Sequence, residues 1–142
     1  MRLKAAFLFG LLFVMLQPSF AKVRHYYIAA EDVPWDFAPS GWNLIEGGPL
    51  PRPWGGHTKW PKTRYIGYTD ATFTVRTPQP EWLGILGPII RAEVGDEIIV
   101  DFLNRSVYPH SIHPHGLRYD KENEGAYYVP AGRGSLVPTN SR

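Results

Sequence analysis

The chain contains no cysteine. That absence excludes a disulfide of its own and removes thiolate from the ligands of any metal it holds. Helical patterning is also scarce. No stretch sustains apolar residues on a 3.6-residue period, which rules out a coiled coil, and neither repeats nor low-complexity segments are present. An excess of charge is missing as well. Lys and Arg number 15 against 13 Asp and Glu, and two of the basic residues, Arg2 and Lys4, lie in a leader, so the remainder is neutral. With no basic cluster interleaved with aromatics, there is no footprint for nucleic acid or an anionic membrane.

Long apolar runs are limited to one, residues 5–16, which falls short of the ~20 residues that span a bilayer. MRLK precedes it; Gln17-Pro18 and then the small-x-small triplet Ser19-Phe20-Ala21 follow. A basic head, an apolar middle and a small-residue cleavage site read as a secretory signal peptide over 1–21, the alternative being an N-terminal membrane anchor. Cleavage after Ala21 leaves 22–142 as one domain. The expected product is secreted or periplasmic, with no membrane segment after cleavage.

Strand chemistry punctuated by Gly and Pro fills the rest. VRHYYIAA (23–30) is rich in aromatic and β-branched residues. Residues 31–60 carry Pro34, Pro39, Pro49, Pro51 and Pro53, yet Trp35, Phe37, Trp42, Trp54 and Trp60 are too apolar for a disordered linker, which predicts a long structured loop. RYIGYTDATFTV (64–75) returns to strand-like alternation. PIIRAE (88–93) reads as a short strand and Val94-Gly95-Asp96 as a turn. EIIVDFLN (97–104) alternates Ile99, Asp101 and Leu103 against Ile98, Val100 and Phe102. A final strand is expected at 108–113, ended by Pro114, which has no N–H for the ladder. Short strands between Gly/Pro turns predict an all-β sandwich or barrel. The tail after Val129 is loop chemistry, and about five strands are fewer than a sandwich uses. The expectation is a domain incomplete at its C-terminus, a truncated piece of a longer protein.

The sharpest motif is HSIHPHG, 110–116. On a strand, His113 and His115 would share one face, ~6.6 Å apart at Cα. Two imidazoles so presented hold one metal ion between them, or one ion each of a close cluster. His110 lies three residues earlier, which turns it to the opposite face as a structural or exposed residue. His25 and His57 stand alone. Asn104-Arg105-Ser106 fits the N-glycosylation sequon, although an Asn at a strand end equally suits a bond to backbone.

Three stretches then combine: YYIAAEDVPWDFAPSGWN, EWLGILGPIIRAEVGDEIIVDFLN and SIHPHGLRYDKENEGAYY. In that order and at that spacing they resemble the first cupredoxin domain of multicopper oxidases, on the ferroxidase branch that includes ceruloplasmin and hephaestin. The resemblance implies an all-β, cupredoxin-like Greek-key β-sandwich over 22–142. In that family H-x-H-G is the first of several paired-histidine motifs that hold a copper cluster. By motif match His113 would ligate type 2 copper and His115 one of the type 3 pair, with Gly116 turning the chain away. Imidazole suits copper. An acid followed by glycine commonly lies at this distance after the motif, near the cluster, where it helps deliver protons to dioxygen; Glu124, before Gly125, is the matching residue.

The implied function is that of the N-terminal part of an exported multicopper oxidase. Such an enzyme couples one-electron oxidation of a substrate, with Fe(II) among the candidates, to reduction of dioxygen to water. The chain departs from the pattern in lacking the cysteine of the type 1 site and the next H-x-H motif. It is therefore expected to depend on further cupredoxin domains and to be inactive alone. The alternatives are a non-enzymatic copper-binding module of the exported space and a structural A-type domain like those of the coagulation cofactors. Retention of both His113 and His115 argues against the latter.

Overall fold

The computed structural model describes residues 21–126 and Ser141. The signal peptide read into 1–21, Ala21 apart, and the loop-like tail after Val129, Ser141 apart, lie outside the described residues. Among the described residues the regular structure is β, with three strands and three short 3-10 turns and no α-helix. None of them forms a helix long and apolar enough to cross a membrane.

Strand β1 is Val23–Asp36, β2 is Lys59–Tyr68 and β3 is Glu97–Asn104, in the sheet order β2-β1-β3. β1 and β2 pair antiparallel, from Tyr27 opposite Tyr68 to Asp36 opposite Lys59. β3 runs parallel to β1. Glu97 N–H donates to Lys22 O at 2.9 Å and Arg105 N–H to Ala30 O at 2.8 Å, advancing in the same direction along both strands. The described residues thus build one mixed sheet, where a sandwich needs two.

β3 matches the sequence expectation from end to end. β1 does not stop at Ala30, because its prolines do no harm where they sit. Pro34 faces Pro61, and a pair in which neither residue has an N–H must be one that exchanges no ladder hydrogen bond. β2 is an edge strand, and β3 ends level with Ala30, so neither missing donor faces a further neighbour. The structured loop therefore shrinks to 37–58. It is pinned at its mouth by Phe37 N–H to Thr58 O (3.0 Å), and Asn43 Oδ1 accepts from the N–H groups of Ile45 and Glu46. Strand 64–75 ends at Tyr68; Thr69 N–H then bonds Val75 O at 2.9 Å across a turn.

The chain divides into two units. The smaller joins 21–24 to Arg91–Ile99. Its centre is Asp96, whose carboxylate accepts from the N–H of Glu93 and of Lys22, both at 2.9 Å, and from Arg24 Nε. The backbone donors of Glu93 and Lys22, then Arg24, hold the Asp96 carboxyl down at about 2. The predicted turn at Val94-Gly95-Asp96 is present, closed by Asp96 N–H to Glu93 O at 3.0 Å. The strand predicted for 88–93 is not: those residues pair with no neighbouring strand.

The larger unit, His25–Ile90 and 100 onward, contains the core: Ala29, Ile66, Tyr68 and Phe73, with Tyr27 and Leu103 packed against them. Phe73 is 2% exposed, edge-on to Tyr27 with ring centroids 6.2 Å apart. Its φ of 52° is left-handed, a conformation a bulky residue keeps only where packing over-determines it. Above it, the Glu31 carboxylate accepts from Tyr68 Oη, from Arg76 and from Arg105 Nη1, while Arg105 Nη2 donates to Phe73 O at 2.8 Å. Burial works to raise the Glu31 carboxyl, but Tyr68 and the two guanidinium groups outweigh it and keep it below the ordinary range. The sheet's other face carries Tyr65, edge-on to Phe102 at 5.5 Å.

Candidate metal centre

The segment leading to the paired histidines was expected as a strand over 108–113. It is irregular instead, with only His110 in a bridge, because side chains take the backbone groups that a ladder would use. Asp32 on β1 accepts from Ser106 Oγ at 2.6 Å, Thr63 Oγ1 at 3.0 Å and Val107 N–H at 3.0 Å. The bond from Ser106, ahead of burial and the remaining donors, keeps the Asp32 carboxyl below its ordinary value. Asn104 is fully buried; its Nδ2 donates to Tyr108 O at 2.7 Å and its Oδ1 accepts from Ser106 N–H at 2.9 Å. Ser106 commits its proton to Asp32, so its oxygen is the acceptor for His110 Nε2–H at 3.1 Å. His110 also meets the Tyr65 ring edge-on at 6.4 Å. It is held as a structural residue by these contacts and not by strand parity, since the segment is not a strand.

Beyond His110 the chain is tied to the sheet and to the segment ending at Gly125. Tyr65 Oη donates to Ser111 O at 2.6 Å. Burial raises the Tyr65 hydroxyl pKa, which keeps it protonated and a donor. Ser111 Oγ in turn donates to Gly125 O. A 3-10 turn at Lys121–Asn123 brings Glu124 alongside. Its backbone oxygen accepts from His113 Nδ1 at 2.5 Å, and its carboxylate holds Lys121 Nζ at 2.6 Å.

The structure brings His113 and His115 together. Their ring centroids are 4.9 Å apart and nearly perpendicular at 82°, and Tyr119 lies 6.0 Å from the His113 ring. Strand parity is not the cause, since neither residue is on a strand. The irregular backbone through Pro114 does it, and the chain then bends away at Gly116, whose φ is 71°. Both histidines are exposed. A carbonyl oxygen only accepts, so the bond to Glu124 O makes Nδ1 of His113 the protonated nitrogen and leaves the lone pair on Nε2. This is the arrangement in which a metal-binding imidazole is usually held, its second nitrogen anchored to a carbonyl.

Two neutral nitrogen donors suit copper, and the pair fits it as part of a coordination sphere. It is not a closed one: among the described residues no group of three or more His, Asp or Glu side chains is placed to hold a metal. The remaining histidines have other partners. His25 stacks on Tyr27 at 4.6 Å and its Nε2 lies 3.0 Å from Asp101; His57 meets Trp60 edge-on at 4.7 Å. Sequence reasoning passed over Tyr65, Ser111 and Gly125. The one signal available was the Glu124-Gly125 pair, in which the acid drew attention and the glycine did not.

Residues 69–133, which contain His113, His115 and Glu124, match a family described as multicopper oxidase. Ceruloplasmin of Ovis aries is 48% identical, with 79% of this chain and 12% of that protein covered. Hephaestin of Rattus norvegicus is 36% identical, covering 87% of this chain and 12% of the relative. A protein of Mus musculus named a ferroxidase is 40% identical, over 76% of this chain and 10% of its own length. The chain therefore spans only a small part of the relatives it matches. With copper implied by the family and the paired imidazoles inside the matched stretch, the chain is a member of the multicopper oxidase family, related over most of its length to ceruloplasmin and hephaestin.

Proposed function

We propose that this chain is the N-terminal part of an exported, ferroxidase-like multicopper oxidase, and that His113 and His115 supply ligands to its type 2 and type 3 coppers. The single observation that carries the reading is the meeting of the two imidazoles at 4.9 Å, with Nδ1 of His113 already committed to a backbone carbonyl. Copper bound by the pair would supply one-electron redox chemistry. In this reading Fe(II) is the electron donor, and dioxygen is reduced to water with protons reaching it by way of the Glu124 carboxyl. The chain has no cysteine, so electron entry at a thiolate-bound copper belongs to other cupredoxin domains. Those domains also supply the remaining ligands. The fold reading follows the same line: the mixed sheet is one layer of a Greek-key cupredoxin sandwich whose second layer comes from sequence outside the described residues. Secretion rests on the leader-like residues 1–21.

The test is a Cu(II) titration of the full chain followed by electron paramagnetic resonance. The wild type is expected to bind with nitrogen hyperfine structure, and the double variant His113→Ala, His115→Ala to lose both. Binding that survives the double substitution would refute the ligand assignment.

A further inference from the structure

Gly125 is packed against the backbone that carries His113. Its φ is 66°. A Cβ there would run into the Ile112 carbonyl oxygen, and would sit 2.7 Å from the Ile112 carbonyl carbon and 3.3 Å from His113 N. Any side chain must therefore drive the two segments apart. The residue before it provides the carbonyl that accepts from His113 Nδ1, and Gly125 O itself accepts from Ser111 Oγ. The Glu124 carboxylate is engaged separately, accepting from Lys121 Nζ at 2.6 Å.

From this close approach we infer that Gly125 is a positioning residue for His113. Its bare backbone lets the Glu124 carbonyl reach Nδ1, which fixes the imidazole as the Nδ1–H tautomer and makes Nε2 the coordinating nitrogen. An unanchored imidazole exchanges its proton between the two nitrogens, so only part of its population presents Nε2 to a metal. The anchored ring is preorganised. Ser111 has a supporting part, because its bond holds Gly125 down. The contact is made by the Glu124 backbone oxygen, so the side-chain carboxylate is not needed for it. The statement about the tautomer concerns the metal-free chain; that the freed nitrogen then binds copper rests on the function proposed above.

Nitrogen-15 resolved spectra of the imidazoles in the full metal-free chain, at mildly alkaline pH, read the tautomer directly. His113 is expected as Nδ1–H in the wild type and in Glu124→Gln, and as a mixture in Gly125→Ala, with a partial shift in Ser111→Ala. In the paired Cu(II) titration Gly125→Ala should lose about 10–100-fold in affinity. The inference is overturned by a wild-type His113 that is mixed or Nε2–H, or by Nδ1–H persisting in both Gly125→Ala and Ser111→Ala. Where Gly125→Ala does not fold, Ser111→Ala decides alone. A tautomer held in the wild type without copper binding supports the anchor and removes the copper reading, so the two fail separately.

Discussion

On one face of the sheet Glu31 gathers Tyr68, Arg76 and Arg105 above Phe73; on the other, Tyr65 leads through Ser111 and Gly125 to His113 and His115. Both are polar chains anchored on β-strands, but they end differently. The first joins opposite charges and closes over a buried ring, so its groups satisfy one another. The second uses backbone carbonyls as acceptors. A carbonyl cannot neutralise an imidazole, but it does fix which nitrogen carries the proton. Side-chain charge serves cohesion on one face, and main-chain polarity serves orientation on the other.

The most severe way to break this contrast is Phe73→Ala. Truncating a ring that is 2% exposed should cost about 3–5 kcal/mol in urea unfolding, while the His113 tautomer in the folded fraction stays as in the wild type. A change at the histidines would mean that the two faces are one cooperative cluster. Glu31→Gln is the next step. It leaves the two guanidinium groups and Tyr68 without their carboxylate and should cost about 1–3 kcal/mol. The pH dependence has a definite sign. The folded Glu31 carboxyl lies below its ordinary 4.5, so its stabilisation is fully present above that pH and is lost as pH falls through the folded value. Urea midpoints measured across that window should fall for the wild type and stay flatter for the Gln variant. Parallel curves would detach Glu31 from the cohesion of its face. The smallest effect belongs to Gly116→Ala. The backbone there is left-handed, but a Cβ meets nothing within 4 Å. The cost is strain alone, about 1 kcal/mol, and the Cu(II) midpoint should move less than in Gly125→Ala. Equal losses in the two variants would mean that strain, and not the close approach at Ile112, governs the site.

These expectations show where the sequence was informative. Residues 97–104 were readable because their alternation is bounded by a turn and by an Asn that ends the strand. Residues 31–36 were misread as loop because Pro34 looks like a breaker, and nothing local announces that it faces Pro61 at a sheet edge. Residues 108–113 have strand composition, yet their backbone groups go to Asn104, Ser106 and Tyr65. Those partners come from β2, from the end of β3 and from the turn after it, so a window of sequence does not reveal them. The same holds at the metal centre. Spacing suggested that His113 and His115 would meet, for a reason, strand parity, that the structure replaces with an irregular segment through Pro114. The requirement at Gly125 depends on a segment more than ten residues away.

Asn104 carries a consequence for biosynthesis. Its carboxamide, inside the Asn104-Arg105-Ser106 sequon, is sealed in the fold with Nδ2 given to Tyr108. An oligosaccharide attached to that nitrogen would have to arrive before the end of β3 closes, and once attached would keep it from closing. In the folded chain the sequon is therefore closed to glycan transfer, because the nitrogen that would carry the sugar is buried and already given to the backbone.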